Sequence, residues 1–138
     1  MGLSRSWLAA SALALAGCPT VSLGEVPPDI GLCDPMGGED YFDSMMWPNY
    51  LTIESTIQNH TCVDSGCHGH NTFSGGFGLD ETNPLSPGNY RAAQGELLCA
   101  SPMESKLLTK PFEITSHGGN KMFQMTDPEY QTFLDWFQ

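Results

Sequence analysis

Residues 61–70 read TCVDSGCHGH, two cysteines and two histidines inside ten positions of a polar, turn-forming stretch. His68 follows Cys67 directly, and Cys62 precedes Cys67 across Val63, Asp64, Ser65 and Gly66. Three chemistries use side chains of these kinds so close together: thioether attachment of a prosthetic group, coordination of a metal ion, and a local disulfide. The choice decides the fold, because each demands a different amount of apolar structure around the stretch.

The chain has 138 residues, enough for one ordinary domain with a single core. Five Lys and Arg stand against 16 Asp and Glu, for a formal net charge of −11. Phosphate binding needs clustered cations, so nucleic acid is not a partner to expect. The acidic surface favours solubility and encounter with basic partners.

The first residues read as an export signal, separate from the folded domain. Arg5 supplies a positive start, WLAASALALAG an apolar stretch, and Leu15-Ala16-Gly17-Cys18 a small-residue end. The apolar run is shorter than the roughly 20 residues a spanning helix needs. LAGC resembles the lipobox of bacterial lipoproteins, which implies a signal peptide over 1–17, lipidation of Cys18 and a stable lipid anchor in a membrane. Pro19 carries no retention signal of the Asp type and points to the outer membrane. The expected location is therefore periplasmic or cell-surface. Disulfides persist outside the cytoplasm, and the four remaining cysteines allow three pairings. Spacing separates Cys62 and Cys67 from the distant Cys33 and Cys99.

Residues 18–40 are rich in Pro, Gly and acidic side chains without apolar period, and read as a tether. A Cys33–Cys99 bridge would fasten its far end onto the folded body. Tyr41, Phe42, Met45, Met46 and Trp47 recur at helical spacing and stop at Pro48. A second helical stretch is expected over roughly Leu51 to Asn59. Gly75, Gly76, Gly78, Pro84, Pro87 and Gly88 then impose a loop anchored by Phe73, Phe77 and Leu79. Tyr90 to Leu98 suits a short helix. Ser101-Pro102-Met103-Glu104 carries the capping-box pattern for a helix bearing Leu107 and Leu108 and ended by Pro111. Thr126-Asp127-Pro128-Glu129 starts a last helix, with Tyr130, Phe133, Leu134 and Phe137 on one face. No stretch alternates like a strand. The expectation is an all-α domain over 41–138 with long irregular loops, poor in regular core for its size.

Covalent haem attachment needs two thiols, one for each vinyl group, and a histidine beside the second that reaches the iron. Cys67-His68 has that adjacency. The usual spacing places two residues between the cysteines, whereas here there are four, and Asp64, Ser65 and Gly66 suit an outward loop. The order YFDSMMWP, the motif ending CH, GGFGLD, SKLLTKP, HGG and DPEYQTFLDWF resembles the small monohaem cytochrome c domains of bacterial surface and periplasmic proteins. The resemblance covers Tyr41 to Gln138. It implies a cytochrome c-like helical fold around one covalent haem c, thioethers at Cys62 and Cys67, and His68 as proximal ligand. It further implies His117 as distal ligand, with Gly118 and Gly119 letting the backbone pass close to the porphyrin.

From the residues alone Met122 and then Met125 rank behind His117 as distal ligands, since methionine also binds haem iron. Plain core packing is the bland role for both methionines. His60 and His70 lie too close to the motif in sequence to reach the opposite haem face, and Lys121 is a further nitrogen that could compete. The implied function is a membrane-anchored electron carrier, not an enzyme, because protein ligands fill both axial positions. Its redox partner would dock through a basic face. Two alternatives stand beside it: a disulfide-stapled lipoprotein without haem, and a zinc module using Cys62, Cys67, His68 and either His70 or His117.

Overall fold

The computed structural model describes residues 31–70 and 76–138. The signal segment 1–17, Cys18, most of the tether and Phe73 lie outside the described residues. Within them the structure is helical and irregular, with no strand, in keeping with an all-α class. No helix there is long and apolar enough to cross a membrane.

The entry segment begins with α1 (Gly38–Tyr41), whose first turn carries Glu39 and Asp40 where the helix dipole favours negative charge. It runs directly into a π-helical segment, Phe42–Leu51. The expected stop at Pro48 does not occur. A proline in an α-helix loses a hydrogen bond and presses on the carbonyl four residues back, whereas the wider π turn relieves that conflict. The segment closes with Thr52 N–H and Thr52 Oγ1 both donating to the Trp47 carbonyl, each at 3.0 Å. Phe42, Met46, Trp47, Tyr50 and Leu51 all face inward.

The helix expected over Leu51 to Asn59 is absent, and turns replace it. Ser55 is the cause: its buried Oγ accepts from Ile57 N–H and Gln58 N–H, a side-chain turn that competes with helix, and Asn59 then takes φ 55°. The same hydroxyl donates to the Met122 carbonyl and ties this turn to a distant loop.

Helix α2 (Pro87–Gln94) starts earlier than expected because Ser86 caps it, accepting from Gly88 N–H at 3.2 Å, with Pro87 in the first turn. The single helix expected from Ser101 is split. Pro102–Glu104 forms a 3₁₀ turn, Ser105 is extended at ψ 134°, and α3 (Lys106–Thr109) follows. Ser101 makes no capping bond. Ser105 is fully buried and its Oγ accepts from Leu98 N–H at 3.0 Å, which explains the break. Helix α4 (Pro128–Asp135) forms where expected, although Asp127 Oδ2 accepts from Gln124 N–H and not from the helix.

The two ends of the described fold close on each other. Phe133 and Trp136 are fully buried, the second just past the end of α4, and Trp136 lies 5.7 Å from the Phe42 ring. Trp136 Nε1–H donates to the Gly38 carbonyl at 2.9 Å, Gly37 N–H donates to the Trp136 carbonyl at 3.0 Å, and Tyr41 Oη donates to the Thr132 carbonyl at 3.1 Å. Tyr90 from α2 completes the aromatic cluster. Cys33 and Cys99 are joined by a disulfide with Cα atoms 5.2 Å apart, which pins the chain before α1 to the loop after α2.

Candidate cofactor cavity

The stretch 61–69 is a tight loop held by its own backbone. Thr61 N–H and Oγ1 both donate to the Asp64 carboxylate. Cys67 N–H donates to the Asp64 carbonyl at 2.8 Å, and His68 N–H to the Cys62 carbonyl at 3.0 Å. The residues between the cysteines therefore fold as a turn, with Val63 against the core and Gly66 on the cavity wall, and both cysteines line that cavity with His68. Cys62 N–H donates to the Leu51 carbonyl at 3.1 Å, so the loop hangs from the end of the π-helical segment.

His68 is oriented from its far side. Its Nδ1–H donates to the Phe77 carbonyl at 2.9 Å, its ring sits 4.9 Å from the Phe77 ring, and Leu79 N–H bonds the His68 carbonyl at 2.7 Å. This fixes the tautomer and leaves Nε2 as the ring nitrogen with an open lone pair. Burial pushes the His68 imidazole below its ordinary range, so it stays neutral and able to bind a metal.

Across the cavity stands His117. Its Nδ1–H donates to the Asn120 carbonyl at 3.0 Å inside a turn closed by Asn120 N–H to the His117 carbonyl, with Asn120 at φ 59°. The loop 110–116 that leads to it is stitched by Ile114 N–H and Thr115 N–H to the Thr109 carbonyl and by Lys110 Nζ to the Ser116 carbonyl at 2.5 Å. The two imidazoles lie with centroids 6.1 Å apart and planes only 9° from parallel.

The cavity encloses about 560 Å³, within the range of sites for small molecules and cofactors. Its apolar wall includes Leu51, Phe77, Leu107 and Met122, and both Gly118 and Gly119 border it. A Cβ on Gly118 would meet nothing within 4 Å, whereas one on Gly119 would lie 3.1 Å from the His117 ring.

Of the candidates read from sequence, Cys62, Cys67, His68, His117 and Met122 are brought to this cavity. Met125 is not: it is 55% exposed, neither core nor lining. His70 turns away to pair with Glu81. Among the described residues no group of three or more His, Cys, Asp or Glu side chains is placed to hold a metal ion. Cys62 and Cys67 are not joined to each other. Burial pushes the Cys62 thiol up to about 12 and raises that of Cys67 as well. Both are therefore thiols, the form that adds to a vinyl group.

His60, whose sequence position counts against a place on the distal face, nevertheless lines the cavity. Its Nδ1 lies 3.2 Å from the Gln58 carbonyl, and its Nε2 is buried with no hydrogen-bond partner. Proximity to Cys62 is the one signal for it in the sequence. No protein-family model, curated protein or solved structure matches this chain.

Proposed function

We propose that this protein is a lipid-anchored monohaem c-type cytochrome that carries single electrons outside the cytoplasm. The observation that carries the reading is the pair of parallel imidazoles, His68 and His117, 6.1 Å apart across a cavity that also holds two thiols. Two imidazoles that share one metal through Nε2, at about 2 Å each, have centroids about 6 Å apart once the ring radii are added. Each ring donates through Nδ1 to a backbone carbonyl, the outer-shell arrangement typical of metal-binding histidines.

The residues fit the group. Cys62 and Cys67 would hold it by thioethers, His68 and His117 would bind its iron, and the apolar wall would exclude water. When bound, haem supplies a one-electron couple. The protein fixes ligand identity and burial, and bis-histidine ligation favours a lower potential than a His/Met pair. Were His68 and His117 both to hold the iron, the role would be electron transfer and not catalysis on a bound substrate. The acidic surface suits a redox partner with a basic docking face, so transfer rates fall as ionic strength rises.

The deciding experiment is the pyridine haemochrome and reduced-minus-oxidised spectra of protein made in a host with cytochrome c maturation. A c-type band that survives acid-acetone extraction supports the proposal. The absence of a haem band in a host that matures such motifs overturns it.

A further inference from the structure

The cavity gathers cations in a chain that has few. Of the Lys and Arg side chains among the described residues (Arg91, Lys106, Lys110 and Lys121), Lys106 and Lys110 both line it. They stand one helical turn apart, at the start and just past the end of α3, on neighbouring positions of one face. Lys106 is 64% exposed, which places it at the mouth. Its ammonium lies 3.6 Å from Glu96, an acidic side chain that also lines the cavity.

Neither lysine is saturated by these partners. An ammonium has three donors; Lys110 uses one on the Ser116 carbonyl, and Lys106 makes a single long contact to Glu96. His60 also borders the cavity, with its partnerless Nε2 buried away from the open surface. Apolar wall inside, unsaturated cations at the mouth and a net charge of −11 over the whole chain describe a site for an amphiphilic ligand whose acidic groups stay at the rim.

We infer that Lys106 and Lys110 form a carboxylate-binding rim that receives the propionates of the porphyrin held by Cys62, Cys67, His68 and His117. This rests on the haem reading and extends it to which edge of the group faces the mouth. The rim also gives the lysines a redox role. Removing positive charge beside the propionates favours the oxidised, more positive centre and lowers the potential.

The test uses the haem-loaded protein as Lys106→Gln, Lys110→Gln and the double variant, with Arg91→Gln on α2 as an exposed control and Lys110→Arg as the conservative replacement. Covalent loading is checked by mass, axial ligation by the Soret and near-infrared spectra, and the rim by midpoint potential and the propionate bending band in resonance Raman. The expected result is unchanged ligation, a stepwise fall in potential from single to double variant, and a shifted propionate band. Arg91→Gln and Lys110→Arg should stay close to the parent. A loaded double variant with the parent's potential and propionate band overturns this assignment and leaves the haem reading standing. A parent that takes up no haem overturns both.

Discussion

Replacing Gly69 by alanine tests the attachment loop where it has least room. A Cβ at Gly69 lies 1.8 Å from the Val63 carbonyl oxygen and 2.7 Å from its carbon. Both are backbone atoms, so no rotamer change relieves the clash. The 1.8 Å approach must open to at least 3.4 Å, the start of ordinary contact. That movement pulls on His68 N–H to the Cys62 carbonyl, 3.0 Å, and Gly69 N–H to the Asp64 carbonyl, 3.2 Å. Two such bonds contribute about 0.5–1.5 kcal/mol each, and overpacking costs a further 1–3 kcal/mol or so, giving a loss of about 2–6 kcal/mol. Gly66→Ala, four residues from Cys62 in the same loop, is the control: its Cβ meets nothing within 4 Å, and alanine there should be neutral or stabilise by up to about 1 kcal/mol. Equilibrium urea unfolding of parent and both variants reads the difference, and haem yield reads its effect on the His68 register. Gly69→Ala within about 0.5 kcal/mol of Gly66→Ala would refute the packing on which the loop's geometry rests.

Three other outcomes follow from the same structure. Replacing Cys33 and Cys99 together by serine opens a bridge across 66 residues of sequence and should cost about 4 kcal/mol on chain-entropy grounds, read as a fall in Tm; a loss under about 1 kcal/mol would show that the entry segment stays docked unaided. Tyr50→Phe removes the buried hydroxyl that donates to the Leu107 carbonyl and should cost about 1–3 kcal/mol in denaturant unfolding, with no change if water replaces the bond. In protein made without haem, iodoacetamide at about pH 8 should modify half-buried Cys67 well ahead of Cys62, whose thiol is raised to about 12. The Cys62 rate should climb with pH, and equal rates by peptide mass spectrometry would contradict the burial.

The parts of the fold most legible in the sequence are those where each side chain has a single use. The α4 start at Thr126-Asp127-Pro128-Glu129 and the aromatic content of the entry segment need only spacing and a first-turn proline or acid. Less legible are places where a polar side chain has two uses. Ser55 and Ser105 bond backbone away from their own segments, and each converts an expected helix into turns. Pro48 misleads for a different reason: its conflict belongs to the α-helical register, and the segment adopts another. Trp136 falls off the face chosen by helical spacing yet is fully buried, because Gly38 and Gly37 offer its indole and carbonyl their hydrogen bonds. At the site, Cys62, Cys67 and His68 announce themselves by adjacency. The opposition of His117 to His68 does not, since nothing in spacing brings those segments together, and only motif order suggests it. Lys106 and Lys110 show their i, i+4 spacing in the sequence, but that spacing alone fits any solvated helix face, and only the folded structure shows that both line the cavity.

The way the cavity wall is tied to the rest of the fold bears on which residue would serve as distal ligand in the proposed haem-bound protein. Helices of four to eight residues are not stable alone, so the fold depends on the aromatic cluster that joins the π-helical segment, α2 and the end of α4. The cavity wall lies outside that cluster and is made largely of two loops, 61–69 and 110–120, tied to it chiefly through backbone bonds. A ligand bonded to both loops would crosslink them, so its binding energy would appear as folding energy. Met122 is held from both sides: its side chain is buried, its N–H bonds the Pro111 carbonyl at 2.7 Å, and its carbonyl accepts from buried Ser55. Its side chain already packs as part of the cavity wall. His117 stands on the turn 117–120, half-buried, with Asn120 to orient it, and it already faces His68 in parallel. In the proposed haem-bound protein the distal position would therefore fall to His117, which already faces His68, with Met122 as wall.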